Sequence, residues 1–304
     1  MPEKSGYTAF GRVNVFKFKT PQKTFEIGNV KIGGQPGENP PVLIGSIFHQ
    51  KHGLVLDERK GQIDKQKSEE LIKRQEELSE KTGIPCMLDV VGSTPEAINK
   101  LIDFTAKTTD SPFLIDSADE EVKAAGARHA EEIGLKQRVI YNSLTVKSTQ
   151  KEYETIKKTG LESAILLAYR GGFMTAQDRV KTIEELLLKV QKAGISKPLI
   201  DTFVMDLPSL AQGSRALLDI KRKRGLPCGC GAHNAFSTWR GLKEKMGTEA
   251  ITPALVTIND LPVILGADFI LYGPIEACVY MFPSVYAVHT SYRFLARMKE
   301  QIEL

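Results

Sequence analysis

The sequence has few cysteines and no long apolar segment, and both shortages exclude whole classes of protein. Four cysteines among 304 residues are too few for a disulfide framework, so we predict reduced thiols at Cys86, Cys228, Cys230 and Cys278. No apolar run approaches the roughly 20 residues that a membrane-spanning helix needs. The start of the chain lacks the apolar core of a signal peptide. We therefore expect a cytoplasmic protein that does not insert directly into a membrane.

The sequence also lacks a strong excess of charge. Its 41 Lys and Arg residues nearly balance its 37 Asp and Glu residues, which leaves a formal net charge of +4. Because this excess is small and scattered, it does not indicate a nucleic-acid partner. The hydrophobic share of 41% and the charged share of 26% are ordinary for a soluble globular protein.

Short apolar segments, each followed by a helical pattern, dominate the chain from residue 42 onward. The predicted strands are residues 42–46, 86–90, 113–116, 139–142, 164–168, 198–201, 227–231 and 269–273. The predicted helices are residues 64–81, 94–108, 118–133, 149–158, 176–193, 207–224, 238–246, 251–265 and 275–299. This alternation is typical of an α/β (β/α)₈ TIM barrel. An open doubly wound sheet usually has a glycine-rich turn after its first strand, but residues 46–50 here read Ser-Ile-Phe-His-Gln.

The residues before the barrel predict a small N-terminal β extension. Residues 1–13 are polar and aperiodic, whereas residues 13–18, 25–27 and 30–32 alternate between apolar and polar side chains. The Gly28-Asn29 pair between the last two segments indicates a hairpin. We therefore expect one barrel domain over 1–304, with an N-terminal arm and hairpin over 1–41 and the barrel over 42–304.

Small polar side chains follow most of the predicted strands. They include Ser46, Asp89, Asp116, Asn142, Asp201 and Asn234. Carboxyl ends of parallel strands meet at one mouth of a barrel, so these groups are expected to form a ring there. Asp89 and Asp116 have a competing interpretation as caps of the helices that follow them, which explains Asn142 and Asp201 less well. Carboxylates that accept pairs of N–H bonds suit the guanidine-like edge of a heterocycle, such as a pterin.

Histidines and cysteines offer a weaker alternative, a bound metal ion. His49 and His52 are three residues apart without further ligands at a zinc-site spacing, and Cys228-Gly229-Cys230 is tighter than the usual zinc knuckle. We therefore expect no intrinsic metal. His233, next to Asn234, is either a core or loop histidine or a direct participant in the site.

Several short motifs resemble a known family. The segments Leu-Ile-Asp-Ser (114–117), Tyr-Asn-Ser (141–143), Leu-Ile-Asp (199–201) and Gly-Ala-His-Asn (231–234) resemble the pterin-binding barrel of methyltetrahydropterin:corrinoid methyltransferases. Ile-Gly-Gly-Gln-Pro-Gly-Glu (32–38), Asp-Val-Val-Gly-Ser-Thr (89–94) and Leu-Tyr-Gly-Pro-Ile (271–275) are similar to the H subunit of the archaeal tetrahydromethanopterin S-methyltransferase and its soluble, tetrahydrofolate-using relatives.

The resemblance implies roles for individual residues. It implies that Asp116, Asn142 and Asp201 hold the pterin edge, and that Asn234 lies near N5 and the methyl group. Asp89 matches an acidic strand end at the same mouth, and we expect it to act with Asn234 in catalysis. The neighbours Ser117, Ser143 and Gly231 of these motifs are expected to contact the pterin as well.

The resemblance also implies an activity. We expect methyl exchange between N5 of a tetrahydropterin and a corrinoid, with the cobalamin supplied by a separate corrinoid protein because the chain has no Asp-x-His-x-x-Gly motif. A shorter segment at 167–175 and the arm before Val15 differ from the archaeal H subunit and favour a soluble relative. We therefore expect tetrahydrofolate as the pterin. The alternatives are an H-type subunit of a membrane-attached complex, a pterin-binding protein without turnover, and a condensing enzyme like dihydropteroate synthase. A homodimer is expected from the resemblance alone.

Overall fold

The computed structural model of the protein describes residues 18–298. Its strands are β1 (Thr24–Ile27), β2 (Val30–Gly33), β3 (Val42–Ile47), β4 (Val55–Asp57), β5 (Gln62–Ile63), β6 (Cys86–Val91), β7 (Phe113–Asp116), β8 (Val139–Leu144), β9 (Ser163–Leu167), β10 (Lys197–Asp201), β11 (Cys228–Cys230) and β12 (Phe269–Pro274). Eight of them close into a barrel in the order β10-β11-β12-β3-β6-β7-β8-β9. All neighbours in the barrel are parallel. The predicted (β/α)₈ TIM barrel is confirmed.

Helices connect the barrel strands on the outside. They are α1 (Lys65–Thr82), α2 (Pro95–Thr108), α3 (Glu120–Glu132), α4 (Gln150–Thr159), α5 (Ala176–Lys192), α6 (Leu207–Arg224), α7 (His233–Ser237), α8 (Leu242–Met246), α9 (Ile251–Ile264) and α10 (Cys278–Met298). Local signals set several of their starts. The Thr94 side chain, for example, accepts a hydrogen bond from Ala97 N at 3.1 Å and so caps α2, which has proline at its first position. Within residues 18–298, no helix combines the length and apolarity needed to cross a membrane.

Alternation along the strands divides the apolar side chains between two cores. Phe113 and Ile115 of β7 pack outward with the helices, whereas Leu114 packs inside the barrel. The inner core also contains Ile27 and Ile32 of the β1–β2 hairpin. The predicted hairpin is thus confirmed, and it packs on the interior of the barrel.

Backbone contacts place this hairpin at the amino ends of the barrel strands. Gly28 N donates to Gln137 O at 2.9 Å, just before β8, and Lys23 N donates to Gly225 O at 2.7 Å, just before β11. Gly28 has a φ of +54°, which glycine adopts readily at the hairpin turn. The hairpin therefore closes the end of the barrel opposite to the strand tips that were predicted to carry the site.

The structure differs from the sequence predictions in several connections. The predicted helix 238–246 is wrong at its start, because Gly241 takes a left-handed conformation with φ +77° and α8 begins only at Leu242. The short helix α7 precedes it and was not predicted. The small antiparallel pair β4–β5 was also not predicted, since its two strands have only three and two residues. The final helix begins with a 3₁₀ turn at Ile275–Ala277. The predicted alternating segment 13–18 lies, apart from its last residue, outside the described residues, as do the arm 1–13 and the end of the final helix at residue 299.

Candidate active site at the carboxyl ends of the barrel strands

A cavity of about 510 Å³ opens at the carboxyl ends of the barrel strands. Its volume is within the usual range for small-molecule sites. Most of the predicted site residues line it together: Asp89, Asp116, Asn142, Ser143, Asp201, Gly231 and Asn234. His49 and His233 also line it, although no pattern in the sequence predicted His49 there. Seven separately predicted residues from five strand ends therefore converge on one space.

Ser117 is the predicted site residue that this cavity does not include. It lines a neighbouring cavity of about 300 Å³, and its hydroxyl accepts a hydrogen bond from Asp119 N at 3.2 Å. The side chain is thus engaged in the turn that leads into α3. The expected contact of Ser117 with the pterin stays a prediction.

The capping interpretation of Asp89 and Asp116 is also wrong. Thr94 caps α2, and Asp119 caps α3 by accepting a hydrogen bond from Glu121 N at 2.8 Å. The Asp89 carboxylate instead accepts hydrogen bonds from Ser46 Oγ at 2.8 Å and from Asn142 Nδ2 at 3.0 Å. Because its amide nitrogen donates to Asp89, Asn142 has a fixed orientation within the cavity.

Burial changes the proton affinity of the carboxyls in this cavity. It raises the pKa of Asp89, although the hydrogen bonds from Ser46 and Asn142 oppose the shift. The pKa of Asp116 is raised well above its usual value, first by burial and then by the nearby negative charge of Asp89. The positive charge of Lys123 acts in the opposite direction on the pKa of Asp116. The neighbouring carboxyls of Asp89 and Asp116 therefore keep a proton more readily than exposed carboxyls do. Hydrogen-bond donors or a positive charge from a ligand would favour their ionised forms.

Asp201 is held by an unusual turn at the end of β10. Its Oδ1 accepts a hydrogen bond from Phe203 N at 2.7 Å, and Phe203 has a left-handed backbone with φ +62°. The buried Arg179 donates to the carbonyls of Thr202 and Phe203, while the Tyr169 ring stacks on Phe203 with centroids 4.0 Å apart. A left-handed non-glycine residue persists only where its surroundings fix it, and such residues are concentrated at functional sites. Burial raises the pKa of Asp201 to about 6.

Asn234 and His233 lie side by side at the start of α7. Asn234 Nδ2 donates to Val204 O at 3.1 Å, and His233 Nδ1 lies 2.9 Å from Leu271 O. A Cβ added to Gly231 would lie 3.2 Å from Asn234 Nδ2 and 3.6 Å from His233 Cε1, so both side chains converge over Gly231. The lack of a side chain at Gly231 leaves the space beside them open.

A buried ion pair that was not predicted from the sequence supports the cavity wall from behind. Lys123 Nζ lies 2.9 Å from Glu152 Oε1 and donates to Ser143 O at 2.7 Å. Tyr141 Oη donates to the same glutamate oxygen at 2.7 Å. Lys123 and Glu152 belong to strongly charged helices. No pattern in the sequence distinguishes these two inward-facing residues from the exposed charged residues around them.

Among residues 18–298, no group of three His, Cys, Asp or Glu side chains is arranged to hold a metal ion. All four cysteines are buried and free of disulfides. Burial raises the pKa of Cys86 to about 11, which keeps that thiol protonated.

Comparison with protein families places the chain in a known group. The model of the family described as "Tetrahydromethanopterin S-methyltransferase MtrH subunit" matches residues 20–304. The H subunit of tetrahydromethanopterin S-methyltransferase from Methanothermobacter thermautotrophicus is 40% identical over 284 residues, which cover 89% of this chain and 91% of that protein. The H subunit of a putative mtx methyltransferase from Methanosarcina barkeri is 36% identical over 280 residues, covering 88% and 90% respectively.

Solved structures with the same fold include dihydropteroate synthases. The enzyme from Yersinia pestis with a pterine-sulfa conjugate has a TM-score of 0.63 at 12% identity, covering 89% of this chain and 98% of that chain. The enzyme from Xanthomonas albilineans in complex with indole-2-carboxylic acid and 6-chloroguanine has a TM-score of 0.60 at 15% identity, covering 90% and 98%. At these identities the likeness shows the barrel fold alone. The family model and the relatives, in contrast, show that the chain belongs to the MtrH family of tetrahydromethanopterin S-methyltransferase subunits.

Proposed function

We propose that the protein is a methyltransferase that exchanges a methyl group between N5 of a tetrahydropterin and a corrinoid held by a separate protein. The observation that carries this proposal is the convergence of Asp116, Asn142, Asp201 and Asn234 in one cavity of a barrel whose relatives are methyltransferase subunits. The relatives are named for tetrahydromethanopterin, so this pterin is our first candidate substrate. They do not support the preference for tetrahydrofolate that was expected from the sequence.

Recognition of the pterin follows from the chemistry of the carboxyl groups. A pterin presents an amino group next to ring N–H groups, and a buried carboxylate can accept two such bonds. Asp201 and Asp116 have raised pKa values without ligand, so pterin donors would stabilise their charged forms. An analogue without these donors would leave the carboxylates unpaired, which makes the site selective.

Asn234 is the group that we assign to the reacting end of the pterin. Its Nδ2 has two hydrogens, and Val204 O accepts one of them. The second hydrogen and Oδ1 are then available to orient N5 or a water next to it. A fixed amide of this kind stabilises charge where it develops and places the N5 lone pair in line with the methyl group.

The corrinoid partner is proposed to dock over the cavity mouth. Large apolar side chains are exposed on connections that leave the carboxyl ends of the barrel strands, among them Leu56, Phe173 and Met205. Exposed apolar side chains of this kind suit contact with a second protein. Because the relatives are named as subunits, we propose that this chain works as an H-type subunit of a larger methyltransferase. Homodimerisation and a cytoplasmic location stay predictions.

The dihydropteroate synthase alternative is less consistent with the site. Condensation would require cationic side chains for a pyrophosphate leaving group near the ends of β11 and β12. Neither Lys nor Arg lines the cavity among the described residues, and Gly231, His233, Gly273 and Pro274 occupy these strand ends.

The direct test of the proposal is methyl exchange in solution. Purified protein is mixed with methylcobalamin and either tetrahydromethanopterin or tetrahydrofolate, and the cobalt absorbance is followed with time. Methylation of tetrahydromethanopterin faster than of tetrahydrofolate is the expected result. Pterin binding without exchange would favour the carrier alternative, and absence of both would refute the proposal.

Two variants test the assigned roles separately. Asp201→Ala should weaken pterin binding by about 1–3 kcal/mol, because it leaves the donors of the ring edge unpaired. Asn234→Ala should keep the pterin dissociation constant within a few-fold but slow transfer by roughly 10²-fold, as the loss of one electrostatic donor does. If both changes had equal and negligible effects on pterin binding and on the transfer rate, the assignment of Asp201 to the ring edge and of Asn234 to N5 would be contradicted.

A further inference from the structure

Asn234 cannot supply or remove the proton that N5 gains or loses during methyl transfer. When the methyl group leaves N5 of the methylated pterin, the nitrogen must gain a proton to become a neutral N–H group. In the opposite direction, an N–H nitrogen that accepts a methyl group must lose one. An amide side chain can donate a hydrogen bond but does not release a proton at ordinary pH. A titratable group within reach of the same atom is therefore needed.

His233 has the position and the tautomer for this task. Leu271 O accepts only, so the contact at 2.9 Å places a hydrogen on His233 Nδ1. Nε2 of the neutral ring is then an acceptor, and no described residue is hydrogen-bonded to it. Gly273 lies against the other side of the ring, since an added Cβ there would be 2.9 Å from His233 Cγ. The ring is thus fixed at the cavity wall with one nitrogen uncommitted.

The adjacent space over Gly231 connects this nitrogen with Asn234. The open position at Gly231 lies 3.2 Å from Asn234 Nδ2 and against the Cε1–Nδ1 edge of His233, at 3.6 Å and 3.8 Å. Nδ1 is committed to Leu271 O, whereas Cε1 is also bonded to the uncommitted Nε2. A pterin nitrogen that receives a hydrogen bond from Asn234 in this cavity would therefore lie beside the His233 ring, next to the carbon that is bonded to Nε2.

The other titratable groups of the cavity suit this task less well. Asp89 is bonded to Ser46 and Asn142, while Asp116 and Asp201 are assigned to the ring edge of the pterin. His49 Nδ1 is 3.1 Å from Gln50 O, its ring stacks on His52, and its Nε2 is buried without a partner. Although His49 lines the cavity, its Nδ1 is engaged and its buried Nε2 is not presented to a ligand.

We propose that His233 is a catalytic residue that gives a proton to N5 when the pterin is demethylated and takes it back when the pterin is methylated. This inference rests on the proposed function. In demethylation, the methyl–N5 bond breaks and its electron pair stays on N5. The proton from Nε2 joins that nitrogen, and the methyl group passes to the reduced cobalt of the corrinoid protein. In methylation, N5 attacks the methyl group on the corrinoid, cobalt keeps the electron pair of the broken bond, and the N5 proton moves to Nε2.

The surroundings of His233 set its pKa and so the pH dependence of methyl exchange. Burial lowers the pKa of His233, and the nearby His49 adds to this shift, while the bond to Leu271 O opposes it. The other titratable groups on the cavity wall are Asp89 and Asp116, at the ends of β6 and β7, and Asp201, at the end of β10 next to β11. A neutral resting imidazole suits the methylation direction, in which it acts as a base. Demethylation should accelerate as the pH falls toward the pKa of His233, and methylation should slow over the same range.

The test compares His233→Asn with wild type and with a control variant, His129→Gln. Asparagine can keep the donor to Leu271 O but does not titrate. The control removes a histidine that bonds Asp103 on the outer helices, away from the cavity. Methyl exchange with free methylcobalamin is measured from pH 5 to 9 in both directions, and the pterin dissociation constant is measured separately.

We expect His233→Asn to slow exchange by about 10²–10³-fold, with pterin affinity within threefold and the histidine-dependent limb absent from the pH profile. The control variant should keep the rate and the pH profile of wild type. Added imidazole should restore part of the rate to His233→Ala.

Three results would overturn the assignment. An unchanged rate and pH profile in a folded His233→Asn protein would show that His233 moves no proton. A loss of pterin affinity as large as the loss of rate would make it a binding residue. Failure of imidazole to rescue a folded, pterin-binding His233→Ala protein would contradict proton transfer. If wild-type protein itself exchanges no methyl group, the proposed function fails first, and the role of His233 fails with it.

Discussion

Replacing Lys123 by methionine tests whether the buried ion pair behind the cavity stabilises the fold. Lys123 and Glu152 are 7% and 3% exposed, so the change leaves a buried carboxylate whose remaining described partner is the Tyr141 hydroxyl. Breaking a buried pair by removing one member typically costs about 3–5 kcal/mol. The exposed pair Lys151–Glu121 has a similar N–O distance of 2.8 Å, but water screens it, and its removal should cost about 0–1 kcal/mol.

Urea unfolding followed by circular dichroism measures both variants under the same conditions. We expect Lys123→Met to lower the free energy of unfolding several times more than Lys151→Met does. The double variant Lys123→Met/Glu152→Gln should recover more than half of the loss, because a glutamine carbonyl still accepts from Tyr141 without a buried charge. A cost for Lys123→Met no larger than that for Lys151→Met would refute the reasoning. Loss of the Lys123 charge should also raise the pKa of Asp116 further.

The remaining predictions concern the cavity itself. The folded-state pKa of Asp201 is about 6 against a usual 3.8, so the folded protein binds this proton more tightly and loses stability as the pH rises between these values. Asp201→Asn should therefore increase the free energy of unfolding at pH 7.5 by up to about 3 kcal/mol while weakening pterin binding; a variant less stable than wild type in urea would contradict this. Pterin affinity of the wild type, measured by fluorescence titration, should fall below about pH 6 as Asp201 becomes protonated, and a flat affinity from pH 5 to 8 would argue against the carboxylate role. Gly273→Ala should slow exchange more than it weakens pterin binding, because the new Cβ would displace the His233 ring at a position that already has φ +93°; unchanged kinetics would contradict this.

Most of the strand-end site was predictable because strand tips obey a simple rule. A buried strand of a parallel barrel reads as a short apolar run, and the residue that ends it faces the mouth. Asp116, Asn142 and Asp201 fit this rule, so their common cavity followed from the order of the segments. Asn234 was harder to place, because β11 has only three residues and the site begins in the helix after it.

The parts that could not be predicted depend on side-chain direction and distant partners. Lys123 belongs to a charged helical segment, and only the closed barrel shows that it turns inward to Glu152. The residue that caps a helix was ambiguous among neighbouring Asp, Ser and Thr, so the bond between Asp119 N and the Ser117 hydroxyl was not predicted. His233 had no defined role in the sequence, because the carbonyl that fixes its tautomer lies 38 residues away, at Leu271.

The hairpin that packs into the amino end of the barrel imposes an order on catalysis. With Ile27 and Ile32 inside the inner core, the hairpin blocks that end of the barrel to a ligand. Under the proposed function, the pterin and the corrinoid would then share one entrance, and the larger partner would cover it on docking. The pterin should therefore load first and leave last, and steady-state kinetics should follow an ordered ternary-complex pattern instead of a ping-pong one.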